Sequence, residues 1–256
     1  MPYQLYVLKS CISTQDEVKK RIEISQNDLI AVLSETQTKG RGTYSRQWLS
    51  DVGGLYLSLS HPIIDHFLPP STIFSLIVIK TLYESTSNSY LARLPVGIIY
   101  PNDIVLVYKQ NYYKLGGILV ENYKNILIVG IGLNINNRVK EYNFEHKAIS
   151  IKEYYEITEN ISPDIEVEEL SNRILTNVEI FYQNKPTSYD HLLELIKYVD
   201  FTPNLKNISV IYQSDERETV ENFQTIEVNF FSRQIKLNKN NSTLLIQFER
   251  VRRIMY

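Results

Sequence analysis

Three features are scarce in this sequence: cysteine, long apolar runs and charge of one sign. The single cysteine, Cys11, cannot form an internal disulfide, and the first six residues show neither a secretory nor an Arg-rich transit pattern. The longest apolar run, residues 73–79, is far shorter than the roughly 20 residues that span a membrane. Lys and Arg number 27 against 29 Asp and Glu, which leaves no basic footprint for nucleic acid. We therefore expect a cytoplasmic protein whose partners include neither nucleic acid nor a membrane.

Glycine is missing after residue 132. All nine glycines lie between Gly40 and Gly132. Glycine serves where the backbone needs a positive φ or must approach a ligand closely, because it has no Cβ. We therefore expect a ligand site within residues 40–132.

The spacing of apolar residues predicts a mixed α/β (α+β) fold. Period-two alternation and short apolar runs predict strands at residues 3–8, 29–34, 54–60, 95–100, 104–108, 114–121 and 126–134. Helical spacing predicts helices at residues 13–24, 71–85, 165–182 and 189–199, the first capped by Ser13 and the second by Ser71. The last four of the strands should form an antiparallel meander. A mostly antiparallel central sheet flanked by helices follows.

Length and pattern predict two domains. A chain of 256 residues with 43% hydrophobic residues is long for one compact domain. Short strands at residues 208–212, 225–230, 234–237 and 243–248 indicate a small all-β unit at the C-terminal end. We predict a larger domain over residues 1–200 and a small β-barrel-like domain over residues 201–256.

The first chemical motif is the loop that contains Gly40, Arg41 and Gly42. Two residues without Cβ flank a permanent cation, so the amides and the guanidinium can fold around an anionic group. A bare Gly-Arg-Gly is more often an ordinary surface loop, so its neighbours decide. Here Gln37 precedes the loop, and Arg46 and Trp48 follow it.

Two further stretches carry polar residues next to apolar strands. Residues 101–103 read Pro-Asn-Asp, which alone is a common turn. Lys114 opens the strand Lys-Leu-Gly-Gly-Ile-Leu-Val-Glu, and a lysine at that position is most often a solvated edge charge. The pair Gly116 and Gly117, however, would leave one face of the sheet open for a flat ligand.

Together the three stretches resemble those of biotin protein ligases. That family has a loop of the form Gln-x-x-Gly-Arg-Gly-x-x-x-Arg-x-Trp and a strand of the form Lys-x-x-Gly-Ile-Leu-x-Glu, and both patterns fall in register here. Weaker matches at residues 13–15, 130–134 and 148–151 extend the resemblance over residues 10–152. It implies a class II synthetase-like catalytic domain. Because the first strand begins at residue 3, we expect a short form without a DNA-binding domain or repressor function.

The resemblance also implies a role for each matching residue. Lys114, Arg41 and Asp103 would be catalytic: Lys114 binds the biotin carboxylate and the α-phosphate, Arg41 the acyl phosphate, and Asp103 faces the incoming amine. The implied biotin-binding set is Ser13, Thr14, Gln15, Gln37, Gly40, Arg41, Lys114, Gly116 and Gly117. The implied ATP-binding set is Arg41, Gly42, Arg46, Trp48, Asn102, Lys114, Asn134 and Ser150. No residue is expected to ligate a metal.

The chain departs from the family pattern at four positions. Thr43 and Ser45 stand where family members often have Arg and Gly, and Ile99 and Tyr100 replace a Lys and a Trp. One cationic contact to the activated intermediate is therefore missing at residue 43. We expect weaker retention of that intermediate.

The implied function is ATP-dependent biotin protein ligation. Biotin and Mg-ATP, with Mg²⁺ as the accompanying ion, would give biotinyl-5′-AMP, and a lysine of a biotin carboxyl carrier domain would accept the biotinyl group. The protein would be a monomer or a homodimer. Two rivals stay open: a lipoate or octanoate ligase or transferase of similar fold, and a non-catalytic biotin-binding relative. Lipoate and octanoate enzymes carry an Arg-Arg…Gly-Gly-Gly…His stretch where this chain has Gly-Arg-Gly and Trp48.

Overall fold

A seven-stranded sheet forms the centre of the fold. The computed structural model describes residues 3–25, 29–63, 68–85, 90–109, 111–139, 147–183, 208–214, 217–223, 225–229, 234–240, 242–247 and 251–255. The sheet contains β1 (Gln4–Leu8), β2 (Ile30–Ser34), β3 (Leu55–Pro62), β4 (Val96–Ile99), β5 (Asp103–Tyr108), β6 (Asn111–Tyr123) and β7 (Ile126–Leu133). The strand order is β1-β2-β3-β7-β6-β5-β4. Only β1 and β2 pair in parallel, so the predicted antiparallel sheet and its meander are confirmed.

Helices cover both faces of the sheet. They are α1 (Thr14–Ile24), α2 (Pro70–Tyr83), α3 (Ile151–Glu159) and α4 (Val167–Gln183). Strand β2 shows why both faces need a cover: Ile30 and Val32 pack with Val18 of α1, whereas Ala31 and Leu33 belong to the main apolar cluster on the other face. Within the described residues, no helix is long and apolar enough to cross a membrane.

Two helix starts differ from the sequence-based expectation. The predicted Ser71 cap is wrong, because α2 begins at Pro70 and the carbonyl of Pro69 accepts hydrogen bonds from the amides of Thr72 and Ile73. Proline fits this first helical position because the first amides of a helix lack intrahelical partners anyway. Ser13 does occupy the position before α1, but its side chain makes no capping hydrogen bond.

Helix α3 was not predicted. Its start carries a capping box, in which the Ser150 hydroxyl accepts from the Glu153 amide at 3.1 Å and the Glu153 carboxylate accepts from the Ser150 amide at 2.9 Å. The Ser-x-x-Glu pattern is the sequence signal for such a start. The predicted helix at residues 189–199 lies outside the described residues.

The C-terminal part is a small β structure, as predicted. Its strands are β8 (Ile208–Ser214), β9 (Arg217–Phe223), β10 (Thr225–Asn229), β11 (Gln234–Lys239), β12 (Ser242–Gln247) and β13 (Val251–Met255), of which β9 and β13 were not predicted. They form two three-stranded antiparallel sheets, β10-β11-β12 and β13-β8-β9. Buried Ile235, Leu237 and Ile246 belong to the same apolar cluster as the core of the large sheet. The barrel-like closure and the boundary at residue 200 stay predictions.

The two glycines of β6 face opposite sides of the sheet, because side chains alternate along a strand. A Cβ on Gly116 would lie 2.3 Å from Leu133 Cδ2 and 2.5 Å from the Gly132 carbonyl oxygen. A Cβ on Gly117 would approach no described atom closer than 3.4 Å, at Asp103 Oδ1. Gly116 therefore permits close packing within the sheet, whereas Gly117 leaves space on the other face.

We predict that Gly116→Ala lowers the free energy of unfolding by about 1–3 kcal/mol, because the added methyl group overpacks the sheet against backbone atoms. Chemical denaturation followed by circular dichroism measures the change. Gly117→Ala is the matched control and should stay within about 0.5 kcal/mol of wild type. Equal losses in the two variants would contradict the assignment of Gly116 to packing.

Candidate ligand-binding and active site

A cavity of about 430 Å³ lies on the face of the sheet that carries α1. It is bounded by the start of α1, the loop at residues 41–49, strands β6 and β7, and the segment after β7. Most of the residues predicted for the site line it: Ser13, Thr14, Gln15, Gln37, Arg41, Gly42, Arg46, Trp48, Asn102, Asp103, Lys114, Gly117 and Asn134. The fold thus brings together stretches that are up to about 120 residues apart in the sequence.

Glycines form the floor of this cavity. Gly117 and Gly132 are direct neighbours on strands β6 and β7. The indole of Trp48 lies against the backbone of Gly132, where a Cβ would come within 2.8 Å of the ring. Lys114 Nζ lies 5.8 Å from the centroid of the same ring. The result is a flat space bounded by the backbone of β6 and β7, the indole of Trp48 and the ammonium group of Lys114.

A β-bulge directs Lys114 into the cavity. Ile104 of β5 pairs with Gly116 of β6, and the next residue, Val105, pairs with Lys114. Leu115 is therefore an extra residue in β6. Such an insertion shifts the alternation of side chains by one position. Lys114 therefore shares a face with Gly117 and not with Gly116.

Hydroxyl and amide groups at one end of the cavity form a chain with a defined direction. The Thr14 amide and the Thr14 hydroxyl both donate to Gln37 Oε1, at 2.8 and 3.1 Å. Since this uses the only hydrogen of the hydroxyl, Thr14 Oγ1 accepts from Ser58 Oγ at 2.7 Å. Ser58 is fully buried and faces Gly130 across the strand pair. Its remaining lone pairs make this end a hydrogen-bond acceptor, which we name the acceptor end (Thr14, Gln37 and Ser58).

Gln37 is used within the protein at both ends of its amide. Its Nε2 donates to Ser50 Oγ at 2.9 Å, while its Oε1 accepts from Thr14. The predicted role of Gln37 as a direct biotin contact stays a prediction. The structure adds a second role, because Gln37 fixes the direction of the hydroxyl chain.

Arg41 is engaged by carboxylates. Its Nη1 donates to both oxygens of Asp16 at 2.8 Å, and its Nη2 donates to Glu121 Oε2 at 3.3 Å and to Gln15 Oε1 at 3.5 Å. Lys19 also donates to Glu121, at 2.7 Å. Both terminal nitrogens of the guanidinium are thus paired, whereas its buried Nε has no hydrogen-bond partner among the described residues.

Lys114 and Asp103 form the second charged pair. Lys114 Nζ donates to Asp103 Oδ1 at 2.8 Å, and Asn102 Nδ2 donates to the same oxygen at 3.3 Å. Asn102 is held in turn by its hydrogen bond to the Ile118 carbonyl at 3.2 Å. A cation and a carboxylate therefore stand side by side next to the glycine floor.

Three predicted residues do not line the cavity. A Cβ on Gly40 would lie 2.4 Å from the Trp48 carbonyl oxygen, so Gly40 permits a close approach within the loop. Gly116 faces the core. Ser150 caps α3, and the amide of the following residue, Ile151, donates to the Asn134 carbonyl at 3.1 Å. The role of Ser150 in this structure is to start a helix beside the site.

Several lining residues were not predicted, notably Ser58, Asn137 and Arg138. Ser58 lies inside a period-two strand, and such a strand does not show which face carries a ligand. Arg138 forms an exposed ion pair with Glu156. Burial raises the pKa of the Cys11 thiol, so Cys11, the only cysteine, stays protonated near neutral pH and is a poor nucleophile.

The comparisons with known proteins agree with this geometry. The model of the biotin/lipoate A/B protein ligase family matches residues 7–136, about half of the chain. The chain belongs to this family. Biotin–protein ligase 2 of Arabidopsis thaliana is 32% identical over 111 residues, which are 41% of this chain and 32% of that protein. The bifunctional ligase/repressor BirA of Bacillus subtilis is 30% identical over 125 residues, 46% of this chain and 36% of that protein.

The chain spans about a third of the length of these two relatives. Among solved structures, biotin protein ligase from Aquifex aeolicus in complex with biotin and ATP has a TM-score of 0.71 at 24% identity, covering 98% of each chain. Biotin protein ligase from Leishmania major in complex with biotinyl-5-AMP has a TM-score of 0.62 at 22% identity, covering 96% of this chain and 100% of that one. These likenesses show the ligase fold.

The loop of this family member contains a tight turn. The Gly42 amide donates to the Arg46 carbonyl at 2.7 Å, and Arg46 Nη2 donates to Thr43 Oγ1 at 2.9 Å. Tyr44 and Ser45 have φ angles of 57° and 59°. A residue with a Cβ in this left-handed region costs about 1–2 kcal/mol relative to ordinary backbone.

We predict that Ser45→Gly stabilises this turn, because glycine adopts positive φ without steric cost. A gain of about 1 kcal/mol would slow hydrogen exchange of the Gly42 amide about fivefold. Ser45→Ala is the matched control, since it keeps a Cβ and should leave the exchange rate unchanged. Faster exchange in the glycine variant would show that the serine side chain itself holds the turn.

Proposed function

We propose that this protein is a biotin protein ligase. In the first half-reaction an oxygen of the biotin carboxylate attacks the α-phosphorus of Mg-ATP, forming biotinyl-5′-AMP and releasing pyrophosphate. In the second, the ε-amine of a lysine on a biotin carboxyl carrier domain attacks the acyl carbon, forming an amide and releasing AMP. One observation carries the proposal: a single cavity contains the acceptor end, the flat glycine floor and Lys114, with the floor between the other two.

The acceptor end selects the acid. The ureido ring of biotin offers two N–H donors, and the lone pairs of Ser58 and Thr14 supply acceptors for such donors. An octanoyl chain or the dithiolane ring of lipoate has no donor. Either acid would leave the remaining lone pairs of these oxygens unused and would lose about 0.5–1.5 kcal/mol for each hydrogen bond that biotin can make there. The direction of the hydroxyl chain therefore favours biotin over the acids used by other members of the family.

Lys114 promotes the first half-reaction in this proposal. Its ammonium projects beside the flat floor, where a carboxylate bound between Trp48 and Gly117 meets the α-phosphate. Negative charge grows on the phosphoryl oxygens as the bond to the carboxylate forms. A preorganised cation lowers the energy of that transition state.

Asp103 serves the second half-reaction. In this structure its carboxylate is paired with Lys114 at 2.8 Å. When the acyl adenylate draws the lysine toward its phosphate, Asp103 can accept a proton from the attacking amine. No covalent intermediate with the protein is needed, since both steps depend on position and charge.

Two of the similar solved structures contain the ligands that this proposal names. The Aquifex aeolicus enzyme is a biotin protein ligase in complex with biotin and ATP, and the Leishmania major enzyme is one in complex with biotinyl-5-AMP. The glycine floor and the cationic centre of this chain suit the same ligands. The acceptor end has no feature that favours lipoate or octanoate.

Exchange of labelled pyrophosphate into ATP tests the function. Biotin should support exchange, whereas octanoate and lipoate should not. Lys114→Ala should reduce the biotin-dependent rate by roughly 100-fold, the scale for loss of one preorganised charge. Exchange with octanoate or lipoate instead would assign the chain to another branch of the family. Biotin binding without any exchange would make it a non-catalytic biotin-binding protein.

We predict that Ser58→Ala weakens biotin binding about five- to tenfold, because one buried hydrogen bond to the ureido ring is lost. Isothermal titration calorimetry measures the effect. Ser60→Ala is the matched control: Ser60 lies two residues further on the same strand, and its hydroxyl binds the backbone of Ile30 outside the cavity. Unchanged biotin affinity in Ser58→Ala would contradict the role of the acceptor end.

A further inference from the structure

Two buried asparagines follow strand β7 at the end of the cavity opposite the acceptor end. Asn134 and Asn137 are 7% and 6% exposed, and both line the cavity. Along β7, Gly130 faces the acceptor end, Gly132 lies under Trp48, and Asn134 comes next with the same spacing of two residues. If biotin extends from Ser58 toward Lys114, the nucleotide must continue beyond the lysine, toward these asparagines.

The hydrogen bonds determine how both side-chain amides are oriented. The backbone amide of Ile135 can only donate, and it donates to Asn137 at 3.0 Å, so the atom that accepts is Oδ1. The other side of the Asn137 amide is then Nδ2, which donates to Asn134 at 3.1 Å, so the accepting atom of Asn134 is Oδ1. Asn134 therefore turns its Nδ2 away from Asn137.

The backbone of Asn134 is also held in place. Its amide donates to the Leu115 carbonyl at 2.8 Å, and its carbonyl accepts from the Ile151 amide. Among the described residues, none accepts a hydrogen bond from Asn134 Nδ2. This NH₂ group of a cavity-lining residue thus offers two donors at the end of the cavity opposite the acceptor end.

We propose that Asn137 is a positioning residue, which fixes Asn134 with its donors toward the cavity and so selects a nucleotide base with a ring nitrogen that accepts a hydrogen bond. This inference rests on the proposed function, because it takes ATP as the ligand. The two ends of the cavity then have opposite polarity. The biotin end accepts hydrogen bonds from the ligand, and the nucleotide end donates them.

Asn137→Asp tests the orientation without removing the bond to Ile135. One carboxylate oxygen still accepts from the Ile135 amide, while the other can be satisfied only if Asn134 rotates by half a turn and donates Nδ2 to it. The cavity then faces the carbonyl oxygen of Asn134. A base nitrogen that accepts hydrogen bonds would meet an acceptor there, which is unfavourable.

The measurement is the affinity for ATP, 7-deaza-ATP and 1-deaza-ATP, by calorimetry with wild type, Asn137→Asp and Asn137→Leu. Wild type should bind one deaza analogue roughly tenfold or more weakly than ATP, the scale for one buried hydrogen bond. In Asn137→Asp the ratio of the affinity for ATP to the affinity for this analogue should fall to about one. The added charge disfavours all three nucleotides alike, so the ratio reports only the base contact. Asn137→Leu should keep part of the ratio, since Asn134 can still turn its donor inward.

Two results would overturn the inference while leaving the proposed function intact. The first is that wild type binds ATP and both deaza analogues with equal affinity. The second is that Asn137→Asp keeps the wild-type ratio of the affinity for ATP to the affinity for the analogue. If wild type did not bind ATP at all, the proposed function would fail and this inference with it. Trp48 is the only tryptophan. A change in its emission when biotin is added shows that a variant still binds biotin and is therefore folded.

Discussion

The contact between Trp48 and Gly132 is the interaction on which the site depends. A Cβ at residue 132 would lie 2.8 Å from the indole, so only glycine lets the ring rest on the sheet. This contact places the loop at residues 41–49 over the floor of the cavity and puts the ring 5.8 Å from Lys114. Gly117, Gly130 and Gly132 give the cavity a floor without side chains, whereas Gly40 and Gly116 permit close packing within the protein.

Backbone amides give the site its hydrogen-bond polarity. The Thr14 amide orients Gln37 and, through it, the hydroxyls of Thr14 and Ser58. The Ile135 amide orients the asparagines at the other end in the same manner. Because a backbone N–H can only donate, each chain has one direction, set by the fold before any ligand arrives. Between the two ends, Asp16 pairs with Arg41 and Asp103 pairs with Lys114.

Much of the fold and site could be predicted from the sequence, because strands and short motifs depend on local patterns. The meander, the small C-terminal β structure and 13 of the 28 residues that line the cavity belong to this group. Gly116 was predicted for the ligand site but does not line the cavity. The alternation that separates it from Gly117, and the bulge that returns Lys114 to the cavity face, depend on strand pairing, which the sequence does not show. Ser58 and Asn137 were missed because their roles arise only from partners brought close by the fold.

The claim that biotin occupies the space under Trp48 is tested most directly by tryptophan fluorescence. Since Trp48 is the only tryptophan, its emission reports this cavity without background from other sites. Titration with biotin and with lipoate, in the absence of ATP, compares the two acids at equilibrium. We expect a saturable change in emission with biotin, and with lipoate only at concentrations at least roughly tenfold higher, because lipoate makes no hydrogen bonds to the acceptor end. Equal or tighter binding of lipoate would contradict it.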